Sequence, residues 1–164
     1  MRMIDGLTAS PDSAPVRIAL VVSRYNDFVT ARLEAGACAA LTAQGLQLDT
    51  VVVVRVPGAY EIPVAARRLA DTGTVDGVVC LGCIIRGETP HFDIIAAATA
   101  QALAHAACET GIPMAFGVLT TDSAEQALAR AVDGPANKGW EAAEATVQMA
   151  RIVAALPRRA QAAP

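Results

Sequence analysis

The chain has 164 residues, enough for one domain around a single core. Hydrophobic residues make up 54 %, which excludes a disordered chain, yet no apolar run reaches the ~18 to 20 residues of a membrane-crossing helix. The formal net charge of −3, without clustered Lys and Arg, excludes a nucleic-acid footprint.

Residues 1–16 lack the apolar core of a signal peptide and read as a flexible tail, which predicts a cytoplasmic protein. Arg17–Val22 is a short apolar run, read as a buried strand. A helical pattern covers Asp27 to Gln44, and Gly45 suits its stop. Thr50–Val56 is a second, β-branched run, ending at Pro57-Gly58. A helix follows from about Glu61 to Asp71. Gly77–Ile85 is the third strand, and His91–Thr110 is a long helix closed by Gly111 and Pro113. Met114–Leu119 is the fourth strand. Asp122–Ala131 and Lys138–Leu156 are the last helices, with Asp122 and Glu125 at capping-box spacing. Residues 157–164, with Arg158–Arg159, read as a solvated tail, so 17–156 form a single domain.

Strands alternate with helices, and the strands are continuous apolar runs, the pattern of a parallel sheet covered on both faces. Right-handed crossovers then predict a three-layer αβα sandwich, flavodoxin-like, on four parallel strands. Much of the apolar content is alanine, so part of the surface is expected to be covered by further copies of the chain. Cys80 and Cys83 have CxxC spacing but fall in an apolar strand, which favours buried thiols over a redox pair.

Ligands of such sheets bind outside the carboxyl ends of the strands. The segments just after the strands are Ser23–Asp27, Pro57–Glu61, Gly82–His91 and Gly117–Asp122. In GETPHFD, Thr89 suits a cap and Pro90 the first helical turn, which places His91 beside free N–H groups at an anion-binding helix start. Arg86 could add charge there. The plain alternative is an ordinary turn with a surface histidine. In VPGAYEIP, Gly58 permits a tight bend, and Glu61 either caps its own helix or accepts from ligand hydroxyls. Tyr25 offers an aromatic face at the rim, and Phe116, late in strand four, is either core or rim. Arg130 and Lys138 alone read as solvated, and Lys138 would be a nucleophile only if buried. His105 reads as structural. No dinucleotide, P-loop, serine-hydrolase or metal-ligand motif is present.

SRYND, VPGAYEIP, LGCIIRGETPHFD, FGVLTTDSAEQALARA and NKGWEAA together resemble, in order and spacing, the 6,7-dimethyl-8-ribityllumazine synthase family of riboflavin synthesis. The match runs from about Arg17 to Leu156. The resemblance implies a transferase that condenses 5-amino-6-(D-ribitylamino)uracil with 3,4-dihydroxy-2-butanone 4-phosphate, releasing phosphate and water, without metal or organic cofactor. By position it implies that Tyr25 stacks on the uracil and that Ala59, Tyr60 and Glu61 hold the ribityl chain. Cys83, Ile84 and Ile85 would line the uracil pocket, and Phe116 would close over it. Lys138 would lie near the ribityl chain. Glu88, Thr89 and Arg130 would take the butanone phosphate, and His91 would transfer protons. It also implies a homo-oligomer, a pentamer or an icosahedral shell of pentamers. Sites would lie between subunits, with Phe116, Arg130 and Lys138 coming from the neighbour. Two positions depart from the common pattern. Tyr25 stands where phenylalanine or tryptophan is common, and Asp133-Gly134-Pro135-Ala136 precedes NKG, where many members have a Gly- and Lys-containing turn. Beside this stand a ligand carrier, a Schiff-base enzyme using Lys138, and an inactive shell protein.

Overall fold

Apolar strands of this kind need cover on two faces, and period-two alternation decides which side chain goes to which face. The computed structural model describes residues 3–7 and 15–157. Most of the two tails read from the sequence, including Arg158–Arg159, lies outside these described residues. Four parallel strands, β1 (Ile18–Ser23), β2 (Val52–Val56), β3 (Gly77–Ile85) and β4 (Met114–Thr121), form a sheet in the order β2-β1-β3-β4. Helices α1 (Asp27–Ala43) and α5 (Lys138–Ala155) cover one face, and α2 (Ile62–Asp71) and α3 (His91–Thr110) the other. The short α4 (Ala124–Leu128) follows β4. This is the predicted three-layer α/β sandwich.

Alternate residues of the central strands feed two separate cores. Leu20, Val22, Val79 and Leu81 pack with Leu33, Leu41 and Val147 of α1 and α5. Val21, Val78 and Cys80 pack with Ile62, Ala66 and Leu103 of α2 and α3. Cys80 and Cys83, three residues apart on β3, therefore point to opposite faces and cannot bridge; both thiols are free and buried.

Burial of whole strands holds only at the centre. All six residues of β1 are buried, whereas Val52 and Val53 of β2 are 48 % and 41 % exposed. β2 is an edge strand, with a neighbour on one side alone. The second run also begins later than expected, because Leu48–Thr50 winds into a 3₁₀ turn before the strand. Gly45 and Gly111 follow α1 and α3 with φ of 83° and 69°, the left-handed conformation that ends a helix.

Two further expectations shift. β4 runs on to Thr121, so Phe116 lies in its first half rather than late, and only Asp122 of the segment Gly117–Asp122 falls beyond the strand. The following helix is five residues long, and its cap is Ser123, whose side chain accepts from the Gln126 N–H, in place of Asp122. The extra length of β4 is set by pairing: Thr120 and Thr121 lie beside Ile84 and Ile85 of β3.

Candidate active site

The carboxyl ends of β1, β2 and β3 open onto one cleft of about 710 Å³. Loop geometry brings its walls together. After β1, the Arg24 and Tyr25 N–H groups donate to the Val56 and Pro57 carbonyls (2.8 and 3.1 Å), tying the β1–α1 turn to the β2–α2 turn. Asn26 adopts a left-handed conformation at the start of α1 (φ 60°), and its side-chain amide donates to the Cys83 carbonyl at 2.9 Å. The Thr30 hydroxyl donates to the Ser23 carbonyl beneath (2.8 Å). Tyr25 is thus held at the rim, 72 % exposed, with its ring free of the core.

The second wall is the turn Gly58–Glu61. Gly58 is extended (φ −144°, ψ −178°), a conformation open to any residue, so its value is not the bend expected from the sequence. A Cβ there would approach the Glu61 carboxylate to 3.0 Å. Glu61 makes no side-chain capping bond to α2, and among the described residues its carboxylate has no hydrogen-bond or ion-pair partner. Self-capping is therefore set aside, and both acceptor oxygens are available to the cleft. Ala59 and Tyr60 line the same wall.

Cys83, Ile84 and Ile85 form the floor. Burial pushes the Cys83 thiol up to about 11, which keeps it protonated and a poor nucleophile. Gly87, Thr89 and His91 form the remaining wall with Phe92, Ile94 and Ile95 of α3. Helix α3 starts one residue later than the Thr89 cap requires. Pro90 occupies the capping position, with no side-chain bond, and its carbonyl accepts from the Asp93 and Ile94 N–H groups. Among the described residues the Thr89 side chain makes no hydrogen bond, and His91 sits in the first turn, exposed. Arg86 does not supply free charge: it is bound to Asp93 and Asp122.

Of the residues singled out from the sequence, Tyr25, Ala59, Tyr60, Glu61, Cys83, Ile84, Ile85, Thr89 and His91 line this one cleft. Glu88 is exposed beside it without lining it. Phe116, Arg130 and Lys138 do not line it. Phe116 sits on the edge strand β4, 44 % exposed. Arg130 donates to the Gln126 carbonyl at 2.8 Å, and Lys138 Nζ meets both Glu141 oxygens at 2.7 Å. An exposed, carboxylate-bound amine lacks the desolvated pocket that a Schiff-base lysine needs. Phe92, Ile94 and Ile95 were missed in the sequence. They are ordinary apolar helix residues, and only the start point of α3 reveals which of them face the cleft.

A parallel αβα sandwich with a cleft at its strand ends, walled by a carboxylate without a partner among the described residues, an exposed histidine and a helix start, defines a flavodoxin-like α/β protein with a small-molecule cleft. Comparison with known proteins narrows the class. Residues 15–154 match the family model for 6,7-dimethyl-8-ribityllumazine synthase. The chain is 45 % identical over 156 residues to a 6,7-dimethyl-8-ribityllumazine synthase of Chlorobium phaeovibrioides (strain DSM 265 / 1930), covering 95 % of this chain and 99 % of that one. It is 44 % identical over 142 residues to one of Nitratidesulfovibrio vulgaris (strain DP4), covering 87 % and 91 %. The chain belongs to the 6,7-dimethyl-8-ribityllumazine synthase family.

Proposed function

We propose that this cleft condenses 5-amino-6-(D-ribitylamino)uracil with 3,4-dihydroxy-2-butanone 4-phosphate, forming 6,7-dimethyl-8-ribityllumazine and releasing phosphate and water. The observation that carries the reading is that nine residues implied by the family resemblance, scattered from Tyr25 to His91, converge on one cleft. In this reading Tyr25 stacks on the uracil ring over the Cys83–Ile85 floor. The free Glu61 oxygens accept from ribityl hydroxyls beside Ala59 and Tyr60. Glu88, Thr89 and the helix start hold the butanone phosphate, where N–H groups and the helix dipole favour an anion. His91 moves protons during imine formation, elimination and ring closure.

The chemistry asks mainly for alignment. The amine is nucleophilic and the ketone reactive, so fixing two substrates together supplies roughly 7 to 11 kcal/mol in favourable cases. No cofactor is part of the reading.

The same reading has Phe116, Arg130 and Lys138 completing the cleft of a neighbouring subunit in a pentamer. Sheet order supports it. These three lie on β4 and the segments after it, while the cleft opens beside β1, β2 and β3. Head-to-tail contact between unlike surfaces is what closes a ring. Exposed apolar side chains on both sides, Val52, Val53 and Val64 on one and Phe116 and Val132 on the other, suit such contacts. Four free thiols suit a reducing cytoplasm. The test is to mix purified protein with both substrates and follow lumazine fluorescence. A rate no higher than the uncatalysed condensation would overturn the proposal.

A further inference from the structure

Arg86 is the first residue after β3, and its backbone N–H donates to the Thr121 carbonyl (2.9 Å), adding one rung to the β3–β4 ladder. Its guanidinium then joins three segments. Nε donates to Asp122 Oδ1 at 2.9 Å, just beyond β4. Nη1 and Nη2 donate to the two oxygens of Asp93, in the first turn of α3, at 3.1 and 3.2 Å. The guanidinium carbon lies 4.1 Å from the centroid of Phe92, a wall of the cleft.

The segment this fork spans carries Gly87, Glu88, Thr89 and His91, and it has few other ties. Among the described residues no other side-chain hydrogen bond reaches 87–93, and α3 has no side-chain cap. A Cβ on Gly87 would meet nothing within 4 Å. One guanidinium facing two carboxylates leaves no spare positive charge for an anion. A half-exposed ion pair also adds little to stability. What the arrangement does supply is geometry: a planar fork makes two parallel bonds to a carboxylate only when the two groups lie near one plane.

We infer that Arg86 is a positioning residue, whose fork on Asp93 and stack on Phe92 set the start of α3 and so place His91 and Thr89 against the cleft. It also pairs the Asp93 carboxylate in that first turn, where an unpaired carboxylate would compete with a substrate phosphate. The inference rests on the proposed condensation.

The test uses the full-length assembled enzyme and steady-state kinetics for both substrates, with a thermal melt for each variant. Arg86→Met is expected to lower kcat and raise KM for the butanone phosphate, on the order of 10- to 100-fold in kcat/KM, the scale of a misplaced reacting group. KM for the aminouracil and the melting temperature are expected to stay near wild type. Arg86→Lys restores charge without the fork and is expected to recover only part of the loss. Asp93→Asn leaves Arg86 in place but breaks the bidentate pair, so it should reproduce the kcat loss even where Arg86→Met fails to fold. Asp122→Asn should do less than Asp93→Asn. Wild-type kcat and KM in Asp93→Asn, full rescue by lysine, or a larger effect of Asp122→Asn than of Asp93→Asn would each overturn the inference. Absence of lumazine formation by the unmodified enzyme would instead overturn the proposed function.

Discussion

His91 makes no side-chain hydrogen bond among the described residues, so its ring is free to serve a ligand. Because alignment supplies most of the acceleration in the proposed reaction, His91→Ala is expected to lower turnover by roughly 10²- to 10⁴-fold, the scale of proton transfer, yet leave it above the uncatalysed rate. Complete loss with the fold intact, read from fluorescence and circular dichroism, would contradict this. The thiols give a second residue-scale prediction. Burial raises both Cys80 and Cys83, so neither is a thiolate at neutral pH. Iodoacetamide at pH 8 should leave both unmodified in the native protein and label both after unfolding, as read by peptide mass spectrometry. A third concerns Asp76, which receives the Arg17 backbone N–H and two guanidinium bonds at 2.8 to 3.0 Å. The Arg17 hydrogen bonds hold its carboxyl below its ordinary 3.8. A depressed carboxylate stabilises the fold above its unfolded-state value and loses that contribution as the pH falls through its folded-state value. Asp76→Asn should therefore lower the urea midpoint at pH 7, and the difference from wild type should shrink as the pH drops below 3.8.

At the scale of elements, α1 and α5 meet through glycine. A Cβ on Gly139 would fall on the Leu33 backbone carbonyl, so the two helices touch main chain to main chain. Asn137 locks the junction: its side-chain oxygen accepts from the Gly139 and Trp140 N–H groups, and its amide donates to the Arg32 and Val132 carbonyls. Gly139→Ala should cost about 1 to 3 kcal/mol, as overpacking does, or prevent folding, measured by urea denaturation. Most of the elements themselves were legible in the sequence. Gly77–Ile85 and His91–Thr110 were read with the bounds that the structure shows, because a long apolar run and a long helix between clear stops each have one reading. The region 122–131 was not. Asp122, Ser123 and Glu125 all carry capping chemistry, and only the extension of β4 along β3 decides that Ser123 is the cap.

At the scale of the whole molecule, one half of the proposed site opens beside β1–β3 and the other half lies on β4 and after it. Mixing two impaired variants tests this division. Assemblies reconstituted from His91→Ala and Arg130→Ala subunits should regain activity over either variant alone, since some interfaces would join an intact His91 to an intact Arg130. Activity no higher than the sum of the two separate samples would contradict shared sites. Size-exclusion chromatography with light scattering reads the assembly itself.

Much of the candidate cleft could be seen in the chain alone, since SRYND, VPGAYEIP and GETPHFD each follow a strand, and parallel topology sends strand ends to one side. Apolar continuity and helix stops likewise determined the αβα class. The tertiary structure decided what depends on neighbours distant in sequence. Period-two alternation sent Cys80 and Cys83 to opposite faces, and Glu61 makes no capping bond to its own helix. Arg86, which in the sequence was a charge available to an anion, is occupied by Asp93 and Asp122. Local pattern records which residue types stand at a strand end; which of them are already paired is settled only where three segments meet.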